Sequence, residues 1–170
     1  MATSLRALFE TLPQQGKVKW IGIRPGRRKD LQAVESVEVN TRVGLLGDHY
    51  SGQSGNRQVT LIQAEHLTAV AGMLGKDAPI DPLLTRRNIV VEGINLLALQ
   101  HARFKIGDVV LETTGPCEPC SRMEENLGAG GYNAMRGHGG ICARVVEGGH
   151  IQVGDAINFL ELVRFTEPEE

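Results

Sequence analysis

The chain has 170 residues and carries 18 lysines and arginines against 20 aspartates and glutamates, a formal charge of −2, which argues against nucleic acid as a partner. With 41% hydrophobic and 22% charged residues it sits in the ordinary globular range, and its length suits one domain spanning residues 1–170. No apolar run reaches the roughly 20 residues of a membrane span, the start Met1–Arg6 lacks the features of a secretory signal, and three cysteines, an odd number, suit reduced thiols in a cytoplasmic setting.

Taken in chain order, apolar residues recur in short runs of period near two, the pattern of half-buried strands. The runs are Val18–Ile23, Val34–Val39, Val59–Ile62, Asn88–Val91, Val109–Leu111, Ala143–Val146 and Ile157–Leu162, so the chain reads as mainly β. The basic cluster Arg24–Lys29 lies between the first two runs and reads either as a solvated hairpin tip or as a phosphate or pterin contact. Helical spacing covers Ala64–Leu74, with Leu67, Val70, Ala71 and Leu74 on one stripe and Gly75 placed to end it. Asp77–Pro82 reads as a loop because each proline removes an amide donor. Phe104–Leu111 and Ile151–Phe159 look alike, each placing Gly-Asp (Gly107-Asp108, Gly154-Asp155) as a tight turn between strands. A shorter helix covers Ser121–Leu127, stopped by Gly128, and Thr166–Glu170 reads as a frayed acidic tail.

The chemistry concentrates in Thr113–Glu125, a strand exit, a rigid turn and a helix start. Prolines fix the approach, and Cys120 falls where unpaired helix amides and the nearby Arg122 favour a thiolate. A thioredoxin-type dithiol is one reading of Cys117 and Cys120, but that fold needs a later proline facing the pair, and the next one is Pro168. Structural zinc is another: Cys117, Cys120, His138 and Cys142 have spacings a tetrahedral site tolerates. The glycine-rich stretch Gly128–Val145, with Arg136, His138 and Arg144, reads either as a loop closing on a flat anionic ligand or as a flexible connection.

Gly47–Gly52, Arg57–Ile62, Arg87–Ile89, Gly115–Cys120 and Gly137–Ile141, followed by Gly154-Asp155, resemble in their order the stand-alone bacterial MOSC domains, the family named for the C-terminal domain of molybdenum cofactor sulfurases. The likeness runs from about residue 16 to about residue 159. It implies a MOSC-type β-barrel with a few peripheral helices. Relatives that reduce amidoximes and hydroxylaminopurines bind molybdenum through one cysteine thiolate preceded by proline, the position of Cys120 after Pro119, which makes Cys120 the implied metal ligand and catalytic residue. Arg57, Arg87, Asn88, Arg136 and His138 are the implied contacts to the molybdenum cofactor (molybdopterin). A soft thiolate suits a molybdenum centre that takes oxygen from a small N-hydroxylated substrate.

The chain carries no flavin or iron–sulfur motif, so a separate electron donor is implied. The rival role within the family is persulfide carriage on Cys120, with a cysteine desulfurase as partner and no pyridoxal phosphate expected in this chain. A non-catalytic, zinc-stabilised binding module is the alternative from another class.

Overall fold

Alternating apolar residues close here into a barrel, and the continuous apolar runs mark strands covered on both sides. The computed structural model describes residues 2–12, 15–50 and 52–168, so Ser51 of the Gly47–Gly52 motif and Glu169 and Glu170 of the acidic tail lie outside the described residues. The elements in chain order are α1 (Leu5–Phe9), β1 (Gly16–Ile23), β2 (Gln32–Val34), β3 (Ser36–Asn40), β4 (Gly44–Leu45), β5 (Val59–Gln63), α2 (Ala64–Met73), α3 (Pro82–Thr85), β6 (Ile89–Glu92), a 3-10 turn (Leu96–Leu99), β7 (Ala102–Ile106), β8 (Val109–Pro116), α4 (Ser121–Leu127), α5 (Gly131–Met135), β9 (Ile141–Glu147), β10 (Gly149–Gln152) and β11 (Ala156–Leu162).

Seven strands form the closed barrel in the order β1-β11-β7-β8-β9-β5-β6, with β6 returning to β1. Closure removes the free edges that an open sheet of this length would expose. The expected run Val34–Val39 is two strands. β2 pairs with β1, whereas β3 leaves for a small second sheet with β10 and β4, and the break falls at Glu35. The two Gly-Asp turns behave as expected: Gly107 and Gly154 both take positive φ (56° and 97°) between their strands.

The core has two parts, separated by the barrel wall. Inside lie Val18, Ile21, Leu61, Ile89, Val91, Phe104, Leu111, Ile141 and Ile157. Outside, Ile62 and Val90 pack under Leu67, Val70 and Ala71 of α2 and Met123, Leu127 and Met135 of α4 and α5. All five residues of β5 are therefore buried, including the polar Thr60 and Gln63. β5 and β6 are the parallel pair, joined by a crossover through α2 and α3. That crossover brings Arg86 and Arg87, just before β6, beside the end of the Cys117–Cys120 turn. Helix α4 begins and ends where the sequence places it, with Cys120 as N-cap and Gly128 as C-cap. Among the described residues no helix is long and apolar enough to cross a membrane.

Candidate active site

The Cys117–Cys120 turn carries one thiol to each of its two sides. Cys120 is exposed, and Cys117 is buried with Cys142. The turn is held by a buried arginine. Arg87, 2% exposed, donates from Nε to the Gly139 carbonyl (2.8 Å), from Nη1 to that of Thr85 (2.9 Å) and from Nη2 to that of Cys117 (3.1 Å). A buried guanidinium is costly unless its fork is matched by acceptors, and here backbone oxygens from three separate segments supply them. Asn88 is similarly engaged: its Oδ1 accepts from the Thr60 amide (3.1 Å) and hydroxyl (3.0 Å), and its Nδ2 donates to Gly22 (3.2 Å). Arg87 and Asn88 thus shape the site by bracing β1, β5, β6 and the cysteine turn.

Cys120 opens into a cavity of about 210 Å³ lined by Arg24, Arg57, Arg86, Arg87, Arg122, Asn88, Thr60 and Leu31. A second basin of about 360 Å³, lined by Arg24, Arg27, Arg28, His49, Arg86 and Arg122, continues from it through three shared arginines. Among the described residues no carboxylate lines either space. Arg122 reaches Glu125 at 3.9 Å, at the limit of an ion pair. The charges crowd one another: burial first, then the nearness of Arg24 and Arg122, lowers the Arg86 pKa from its ordinary value. Arg24 Nε is buried without a hydrogen-bond partner among the described residues. Arg28 and Arg86 hold left-handed backbone (φ 60° and 61°), a conformation that costs a non-glycine residue about 1–3 kcal/mol and concentrates at functional sites. Crowded cations and an orphaned donor make the cleft a favourable place for an anion.

The structure brings Cys120, Arg57, Arg87 and Asn88 together and leaves Arg136 and His138 apart. Arg136 is exposed beside Asn133, and the His138 ring lies edge-on to His66 with centroids 4.8 Å apart. Arg144 pairs with Glu112. The glycine-rich stretch makes a close approach, but to the protein itself: a side chain at Gly139 would strike the Cys117 carbonyl, and one at Gly140, where φ is 84°, the Leu61 carbonyl. The zinc constellation does not assemble, because Cys120 faces solvent while Cys117 and Cys142 are enclosed, and among the described residues no three His, Cys, Asp or Glu side chains come together to hold a metal ion. Nor does the thioredoxin-type reading survive, since the turn leaves a closed barrel.

Arg86 had no distinguishing mark in the sequence, because its left-handed backbone follows from the end of α3. Arg24, Arg27 and Arg28 were visible as a basic cluster, and Arg122 as a neighbour of Cys120. Their convergence was not.

Barrel and basin together define a small β-barrel protein with an exposed thiol in an arginine-lined cleft. The sequence profile of the MOSC domain matches residues 43–158, and the chain belongs to that family. Among solved structures it resembles the YuaD protein from Bacillus subtilis (TM-score 0.75, 18% identity, covering 88% of this chain and 98% of that one). It also resembles YiiM from Geobacillus stearothermophilus (TM-score 0.69, 16% identity, 86% and 75% covered) and YiiM from Escherichia coli (TM-score 0.67, 17% identity, 91% and 73% covered). No curated protein sequence matches significantly.

Proposed function

We propose that this chain binds a molybdopterin-type cofactor in the basic cleft, with Cys120 as the thiolate ligand to molybdenum, and reduces small N-hydroxylated molecules. The observation that carries this reading is the exposed Cys120 opening into a cleft lined by arginines and, among the described residues, by no carboxylate. The donor set fits the group. A soft sulfur is available at the mouth of the turn, and the unpartnered Arg24 Nε with the Arg86 and Arg122 guanidiniums suits phosphate oxygens. The two connected basins together reach the size of ordinary small-molecule sites, about 300–1,000 Å³.

Bound molybdenum would supply the oxygen-transfer and two-electron chemistry. The protein's own residues do the rest. Prolines 116 and 119 and the Arg87 bonds hold Cys120 at a fixed place, so that ligation costs little reordering. Arg57 is exposed at the cleft rim, where it attracts an anionic group, and Arg24, Arg86 and Arg122 neutralise phosphate charge deeper in. A separate electron donor returns the site to its reduced state.

The test is direct. Full-length chain, as wild type, Cys120→Ser and Arg24→Ala, is assayed for molybdenum, for pterin fluorescence after release, and for reduction of an N-hydroxylated base with a reduced dye as electron source. Retention of molybdenum and pterin by the wild type, with metal lost in Cys120→Ser and pterin weakened in Arg24→Ala, supports the proposal. A wild type without pterin but with labile sulfane sulfur on Cys120 would favour persulfide carriage instead.

A further inference from the structure

The second thiol side of the turn has its own chemistry, independent of the cofactor reading. Cys117 follows the last residue of β8, and its amide donates to the Gly140 carbonyl at 2.9 Å. The β8–β9 register pairs Gly115 with Cys142 and Pro116 with Ile141, so Cys117 and Cys142 are diagonal neighbours on one face of the ladder. Their residues are 1% and 7% exposed. The Cys142 sulfur lies 4.0 Å from the carbonyl of Pro116, the residue before Cys117.

The two thiols are not equivalent. The Cys142 hydrogen bond, with the charges of Arg87 and Arg57, overcomes burial and lowers the Cys117 pKa to about 6, while the same contact and burial push Cys142 up. Cys117 is the one of the two that borders a cavity, so it is the sulfur a small oxidant meets first, with Cys142 as its resolving partner. Access is provided on the side away from Cys120. A narrow cavity of about 130 Å³, walled by Gln63, His66, Leu96, Gly137 and Gly139, reaches Cys117. A water-sized molecule needs about 10–15 Å³ of such space, so the cavity admits several molecules of that size.

We propose that Cys117 and Cys142 are a peroxide-modifiable dithiol, in which hydrogen peroxide reaching the narrow cavity converts the adjacent buried pair to an intramolecular disulfide. The Cys117 thiolate attacks one peroxide oxygen, the O–O bond breaks, and hydroxide leaves, giving the sulfenic acid at Cys117. The Cys142 thiol then attacks that sulfur, the S–O bond breaks, and the hydroxyl leaves as water with the Cys142 proton. Two thiol sulfurs are oxidised by two electrons in all and the peroxide is reduced by two; a dithiol reductant reverses the bridge. Cys117 lies one residue past the last ladder pair, Pro116–Ile141, and its carbonyl is an acceptor of Arg87, so the bridge reaches the bond that braces the cysteine turn.

The experiment treats the full chain with equimolar hydrogen peroxide, blocks free thiols, and maps peptides by mass spectrometry. A Cys117–Cys142 cross-link is expected in wild type and in Cys120→Ser, with Cys120 of the wild type still free to alkylate. In Cys142→Ser, whose hydroxyl can still donate but cannot form a bridge, dimedone present during unfolding after the peroxide step is expected to trap one sulfenic acid, on Cys117. A bridge that includes Cys120, a Cys120-linked dimer with the buried pair unchanged, a dimedone adduct confined to Cys120, or no cross-link in either protein overturns the proposal.

Discussion

Arg87 Nη2 donates to the carbonyl of Cys117 at 3.1 Å, across 30 positions of sequence, and this bond fixes the turn that presents Cys120. The same guanidinium holds Gly139 and Thr85, so one buried cation joins the approach to β6, the cysteine turn and the loop before β9.

Replacing that cation is expected to be costly. Arg87→Ala leaves buried carbonyls without donors, and unfolding in urea should show a loss of at least about 3 kcal/mol, at about 1–3 kcal/mol for each unsatisfied group. Arg87→Lys should recover only part, because an ammonium cannot reproduce the planar fork. A loss under about 1 kcal/mol in Arg87→Ala would show that water replaces the guanidinium.

Exposure separates the three thiols. A maleimide applied to the native chain should label Cys120 and leave Cys117 and Cys142 unmodified, since both are enclosed. Cys120→Ser should leave unfolding stability level or raise it by up to about 1 kcal/mol, because a serine hydroxyl at the N-cap of α4 can accept from an amide that the cysteine leaves uncapped. Peptide mapping of the labelled protein checks the first outcome and urea unfolding the second.

Arg86 couples strain to binding. With φ at 61°, Arg86→Gly relieves left-handed backbone but raises the freedom of the unfolded chain, so stability should stay level or rise by up to about 1 kcal/mol. Affinity for inorganic pyrophosphate, measured by calorimetry, should fall at least about fivefold as one charge leaves the cleft, equivalent to about 1 kcal/mol. Unchanged affinity would remove Arg86 from the anion site.

Glu112 sets an acid limit on the barrel. Burial acts to raise its pKa, but hydrogen bonds and charge from Arg103 and Arg144 outweigh burial and hold the carboxyl below its ordinary value. The folded state therefore binds fewer protons here than the unfolded chain. The stabilisation is complete above the ordinary glutamate value of about 4.3 and is lost as pH falls through the lower folded value. Wild type should exceed Glu112→Gln in urea midpoint at neutral pH, with the gap narrowing below about pH 4. A gap that widens in acid would contradict the assignment.

Much of the fold was legible because its determinants are local. Period-two alternation marks the barrel strands, Gly107 and Gly154 mark their turns, and Gly128 ends α4 at the residue expected. The short helices α1, α3 and α5 had no such mark, since four or five residues span little more than one turn and carry no measurable period. The division at Glu35 was hidden for another reason: β2 and β3 share one alternating pattern while pairing with different sheets.

By itself the sequence determined a mainly β chain of the MOSC family, and it placed Cys120 at the start of a helix behind two prolines. Only the tertiary structure decided which cations meet that sulfur. Arg136 and His138 are nearer in sequence to Cys120 than Arg24, Arg57 and Arg86, yet they sit away from the cleft. Closure of the barrel and the parallel crossover from β5 to β6 gather those distant arginines around Cys120. Strand and helix periods report each residue's immediate neighbours along the chain, whereas a cleft is a convergence of chain ends whose positions depend on how every strand pairs.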